Sequence, residues 1–205
     1  SVLQVDTRLS WPIFVILILC IIFPFFDGIR FTFLGDTEVR LIENMQAVLL
    51  LFITIFSYFY MRPFPLESGE KKFWLWAVCW WLMLFGRSTS WGRDYFPEVP
   101  KIYFRAISVL LIASVVLPLF QTSLRQHIAH KFKTAVIPIW GLIIALIGLI
   151  ISDAIEHHRY IGTLIITEAS NKNLMEELYE FPLILGLFVV TYGLMKADKF
   201  KHKPL

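Results

Sequence analysis

Two cysteines in 205 residues leave nothing from which to build a disulfide framework. Neither Cys20 nor Cys79 belongs to a CxxC metal knuckle, and both fall inside apolar runs, where a thiol behaves as a small hydrophobe. Charge is scarce as well. Asp, Glu, Lys and Arg make up only 17% of the chain and leave a net charge of +3 spread over loops and tail, too dilute for a nucleic-acid surface. The chain also lacks an HExxH or paired ExxH motif and a GxSxG elbow, which removes the usual sequence grounds for a zinc protease or a serine hydrolase built around Ser88, Ser90 and His157. It shows no internal repeat, no low-complexity tract and no loop long enough to form a second domain.

What is present is apolar: 57% of the residues are hydrophobic and 16% aromatic. Apolar runs of about 16 to 21 residues recur between short charged segments, the length that a hydrocarbon core of roughly 30 Å demands of a helix. The pattern predicts an all-α polytopic membrane protein, a single transmembrane domain of six helices. The spans are Trp11 to Phe26, Leu41 to Tyr60, Phe73 to Trp91, Ile102 to Phe120, Thr134 to Asp153 and Met175 to Met195. The first run resembles a secretory signal, but the "FPFFDGIRF" after it has no small-residue cleavage pattern, so it reads as a retained helix.

On this layout eleven Lys and Arg residues fall on the side of the two termini and eight on the other. The positive-inside rule then predicts cytoplasmic termini and a multi-pass protein of the bacterial inner membrane. The basic segment with Arg125, His127, His130, Lys131 and Lys133 reads as a solvated cytoplasmic loop. Trp74 and Trp76 suit the aromatic belt of that interface.

A rise of about 1.5 Å per residue converts position into depth. Arg87 comes out about 21 Å from Phe73, Arg105 and Glu180 about 22 Å from their own cytoplasmic ends, Glu43 near 26 Å and Asp153 near 28 Å. Five ionisable residues on five helices thus share one extracytoplasmic layer, where charge is costly and normally finds a partner inside the bundle. Lys101 and Arg105 open the fourth span, and Asp153 and Glu156 close the fifth. Both placements oppose the helix dipole and require compensation, whereas Glu176 and Glu177 follow Asn173 as ordinary helix-start acids.

Two chemistries follow. Asp153 and His157, one turn apart, with Glu156 beside them, form a candidate general-base cluster, and Glu180 could complete a divalent metal shell with Asp153 and His157. His157 and His158 also suit a helix C-terminus, where partial positive charge is favoured. Arg87, Arg105, Glu43 and Glu180 form a candidate ligand set, the two arginines being suited to an anionic lipid headgroup. The polar "ENMQ", with Glu43, Asn44 and Gln46, can line a cavity or bond across helices.

The segment "FGRSTSWGRDYFPEVP", with the later "EELYE", resembles uncharacterised bacterial multi-pass membrane proteins carrying a Ser-Trp-Gly-polar-Arg loop. The resemblance covers little more than those residues and implies no activity. The sequence therefore supports three readings: a metal- or lipid-binding protein that acts as a hydrolase or transferase on a lipid-like substrate, an ion- or proton-coupled transporter, and a structural subunit. Membrane lipids are the expected partners.

Overall fold

The computed structural model describes residues 4–23, 25, 37–157 and 172–201. In chain order the elements are β1 (Gln4–Asp6), α1 (Trp11–Ile22), α2 (Thr37–Met61), α3 (Ser68–Ser88), α4 (Lys101–Val116), α5 (Thr122–Thr134), β2 (Val136–Pro138), α6 (Ile139–Glu156) and α7 (Lys172–Lys201). Short 3-10 turns at Ser90–Gly92 and Leu117–Phe120 follow α3 and α4. Among the described residues the regular structure is helical apart from the two short strands.

Four of these helical segments are long and apolar enough to cross a membrane: Val39–Met61, Lys101–Phe120, Ile139–Glu156 and Lys172–Phe200. They mark an integral, multi-pass membrane protein. The other two expected spans differ. The twelve residues of α1 rise only about 18 Å, and Phe26, where that span was expected to end, lies outside the described residues, as does His158. The 21 residues of α3 are long enough, but Glu70 opens the helix and Arg87 closes it.

The described chain divides into two compact units, residues 44–135 and residues 4–43 with 136–201. The second is built on α6 and α7. Gly148 and Gly186 bring the backbones together: a Cβ on Gly148 would lie 2.6 Å from the Leu183 nitrogen, and one on Gly186 would lie 2.6 Å from the Gly141 oxygen. Small residues at such a crossing allow the van der Waals contact that replaces hydrophobic driving force inside a membrane. Alongside, Ile13 and Ile16 of α1 pack on Ile144, and Phe23 packs with Ile155, Met175 and Tyr179. The Tyr179 hydroxyl donates to the Cys20 carbonyl at 3.2 Å. β1 runs parallel to β2, with Gln4 opposite Val136, and the Trp140 indole N–H donates to the Thr7 carbonyl at 2.9 Å. That pairing, with Pro138 at the N-cap, delays the start of α6 to Ile139 rather than Thr134.

The first unit holds the α3–α4 hairpin. The Trp76 indole N–H donates to the Val115 carbonyl at 2.9 Å and ties the two helices together. Here the sequence expectation needs correction, because residues 122–134 form helix α5 instead of a solvated loop. Leu124 is fully buried and the Lys131 ammonium lies 5.4 Å and 5.5 Å from the Phe73 and Trp74 ring centres. The Lys72 ammonium donates to the Ser123 hydroxyl at 2.9 Å. Trp74 is only 1% exposed, so it packs beneath Lys131 and does not stand in an aromatic belt, while Trp76 spends its N–H on α4.

Candidate functional site

The loop between α3 and α4 carries the most constrained backbone in the first unit. α3 ends at Ser88, where the Thr89 hydroxyl donates to the Phe85 and Gly86 carbonyls, both at 3.1 Å, the Phe85 carbonyl also accepting the Thr89 backbone N–H. The next three residues are left-handed: Ser90 at φ 47°, Trp91 at φ 62° and Gly92 at φ 97°. Glycine adopts this region freely, but serine and tryptophan pay about 1 to 2 kcal/mol each for it. Hydrogen bonds from Gly92 N–H to the Thr89 carbonyl at 2.8 Å and from Arg93 N–H to the Ser90 carbonyl at 3.1 Å hold the turn. Strain of this kind is retained where the surroundings over-determine it, commonly at binding sites.

The turn sets the Trp91 indole against α3. A Cβ on Gly86 would lie 2.9 Å from Trp91 Cε3 and 2.8 Å from Leu111 Cδ1, so the glycine is a slot for both side chains. On one side of Trp91 is an apolar cavity of about 560 Å³ whose walls include Val48, Leu51, Leu82, Phe85 and Leu111. Its volume is typical of a small-molecule site. The Tyr95 hydroxyl bonds to Asn44 Oδ1 at the cavity wall and ties the loop to α2. Trp91 also lines a smaller cleft of about 310 Å³, together with Ser90, Arg93, Lys101, Phe104, Arg105 and Ser108.

The cleft is electropositive for three reasons. Lys101 and Arg105 are four residues apart and share a face of α4. Pro100 at the N-cap gives no side-chain cap, and of the first-turn N–H groups that of Tyr103 is taken by the Pro100 carbonyl at 3.1 Å, while the positive helix end itself carries no side-chain acceptor. Asp94 lies 3.7 Å from the Arg93 guanidinium, but among the described residues neither Lys101 nor Arg105 has an ion-pair partner. The arrangement can hold an anion next to an apolar tail.

Arg87 lies exposed on the last turn of α3 and lines neither cavity. Glu43, Asp153, Glu156, His157 and Glu180 all belong to the other unit. Glu43 is half-buried on α2; Glu180 is half-buried on α7 and engaged in an interaction of its own.

In that second unit Asp153, Glu156 and His157 do come together. His157 Nδ1 is 3.3 Å from Asp153 Oδ1, 3.1 Å from the Asp153 carbonyl and 3.9 Å from Glu156 Oε2. The Lys172 ammonium donates to the Glu156 carbonyl at 2.9 Å. A histidine and a lysine at this helix end supply the compensation that two acids opposing the dipole require. Asn173 lies inside α7, so Glu176 stands a turn into the helix, in the electrostatic neighbourhood of Glu156, Lys172 and His157. Among the described residues, no three or more His, Cys, Asp and Glu side chains are grouped to hold a metal ion. Of the shell expected from Asp153, His157 and Glu180, Asp153 and His157 lie together, and the imidazole is turned back onto its own helix end.

Sequence reasoning singled out Arg105 and Lys101 by their conflict with the helix dipole, and gave Asn44 either a cavity to line or a bond across helices; Asn44 both borders the apolar cavity and accepts the Tyr95 hydroxyl. The same reasoning missed Trp91. The available signal was the "SWG" directly after a helix, a tripeptide whose glycine permits the left-handed turn.

No protein-family model matches this chain, and comparison with curated proteins and with solved structures gives no match.

Proposed function

We propose that the protein binds an anionic amphiphile at the α3–α4 loop, with the headgroup in the Lys101 and Arg105 cleft and the apolar tail in the cavity behind Trp91. The observation that carries this reading is a shared residue: Trp91, on the strained turn, lines both a cationic cleft and an apolar cavity. A lipid-like molecule has that division of character. Lys101 and Arg105 favour the charged head through charge-assisted hydrogen bonds worth about 1.5 to 3 kcal/mol each.

Lysophosphatidylglycerol and lysophosphatidylcholine, titrated against the detergent-purified protein, test this. The anionic lipid should bind more tightly, and each of Lys101→Gln and Arg105→Gln should weaken it about 10- to 100-fold while leaving the zwitterionic lipid unchanged. Equal affinities for the two lipids would remove the headgroup assignment.

A second reading makes the protein a hydrolase or transferase. It is favoured by the Asp153 carboxylate beside His157 Nδ1, the arrangement that orients an imidazole as a general base. Hydrolysis of a lipid ester that survives His157→Ala undiminished would end that version. The six-crossing inner-membrane topology with cytoplasmic termini adds α1 and α3 to the four apolar spans. Its support is the 21-residue length of α3 and the charge asymmetry of the loops. Labelling of single cysteines introduced at Glu67 and Tyr95, on either side of α3, with a membrane-impermeant reagent tests it: the two positions should react from opposite sides.

A further inference from the structure

At the opposite end of α4 from the candidate site, the apolar span Lys101–Phe120 stops and α5 begins two residues later, at Thr122. That spacing leaves no room for a linker, so α5 starts where a membrane-crossing α4 leaves the hydrocarbon. One face of α5, with Leu124 and Lys131, is buried against α3. The opposite face is exposed and carries Arg125, Ala129, His130, Phe132 and Lys133. Arg125 and Phe132 are seven residues apart, with Ala129 between them, so cation and aromatic ring share one stripe. The helix contains no acidic residue. In the same unit Arg62, Lys71 and Lys72 lie near the start of α3, with Glu67 and Glu70 as the only opposing charges there.

We infer that α5 is an interfacial helix whose Arg125, Phe132 and Lys133 face docks on the anionic phospholipid headgroups of the bilayer that α4 crosses. The charge sign, the exposed phenylalanine and the position at a span end select that occupant. A basic helix with an apolar ring on its outward face lies in the headgroup plane, held by insertion of the ring and by attraction to anionic lipid. Phe120, exposed at the last position of the span, adds a second ring at the same level. The inner face is held independently by Lys131 between the Phe73 and Trp74 rings. The docking surface is therefore preformed on the hairpin.

The test uses the full chain, with Cys20→Ser and Cys79→Ser, carrying an environment-sensitive fluorophore on Ala129→Cys. It is reconstituted in nanodiscs of phosphatidylcholine alone or of an equimolar mixture with phosphatidylglycerol. The emission should shift to the blue only in the anionic discs and return on adding salt. Each of Arg125→Gln and Lys133→Gln should weaken the association about fivefold. Both side chains are exposed, so the melting temperature should stay unchanged; if it falls, the salt titration of the otherwise unmutated chain makes the same decision. A label that reports water in every composition overturns the inference, as does a blue shift equal in both discs. A shift produced only by adding an acidic protein would reassign the face to a protein partner.

Discussion

Glycine does opposite work at the two helix contacts of this protein. Between α6 and α7, Gly148 and Gly186 face backbone atoms of the other helix, and nothing stands between them. Between α3 and α4, Gly86 faces side chains, the Trp91 ring and Leu111, and a cavity of about 560 Å³ remains beside them. One contact excludes everything, and the other keeps space. The difference teaches where to look for function in a chain of apolar helices. A close-packed crossing can serve as scaffold, whereas a crossing propped open by a strained loop residue holds room for a ligand.

The contrast can be broken at the scaffold first, where the largest effect is expected. Gly148→Ala puts a methyl against the Leu183 nitrogen and the Tyr179 carbonyl. Forcing two backbones apart costs about 3 kcal/mol, at the upper end of overpacking effects. Thermal unfolding in detergent should show a large drop in midpoint. An unchanged midpoint would mean that the α6–α7 crossing is looser than the structure shows.

Gly86→Ala should cost less, about 1 to 2 kcal/mol, because side chains yield where backbone cannot. Its sharper consequence is functional, since the Trp91 ring must move and the wall between cleft and cavity moves with it. Lysophosphatidylglycerol affinity should fall in this variant by more than its stability loss explains. A stability change with unaltered affinity would show that Trp91 does not shape the site.

Smaller effects distinguish the supports of the hairpin. Trp76→Phe keeps the ring and loses the hydrogen bond to the Val115 carbonyl, a loss of about 1 kcal/mol that calorimetric unfolding can resolve. Tyr95→Phe releases the loop from Asn44 and should cost about 0.5 to 1 kcal/mol, read most directly as faster amide hydrogen exchange over residues 89–96. No change in exchange there would mean that the turn holds itself through its own backbone bonds.

Much of the helical layout was legible in the sequence because the bilayer imposes a length on every span, and α2, α4, α6 and α7 obey it. The helix α5 was not, since a run such as Thr122–Thr134 takes its fold from tertiary contact. The buried placement of Lys131 over two aromatic rings has no periodic signature, and a lysine in a polar run reads as solvated. For the site, Lys101 and Arg105 stood out because a cation at a helix N-terminus is electrostatically out of place. Depth arithmetic gave Arg87 the same weight, yet it is exposed on α3, because a level along the membrane normal says nothing about which side of a helix a residue occupies. A spacing of four puts Asp153 and His157 on one face, as read from the sequence, but the spacing does not show that the open helix end beside them also engages the imidazole. Trp91 was hidden since its role comes from a left-handed backbone and a facing glycine, both of which are properties of the folded chain.

The most direct test is photocrosslinking with lysophosphatidylglycerol bearing a diazirine in its acyl chain, followed by mass-spectrometric mapping of the adducts. Adducts should concentrate on the cavity wall, at Leu82, Phe85 and Leu111, and be competed away by unlabelled anionic lipid but not by lysophosphatidylcholine. Adducts spread along the exposed apolar faces of α2 and α4, insensitive to competitor, would contradict the proposed site.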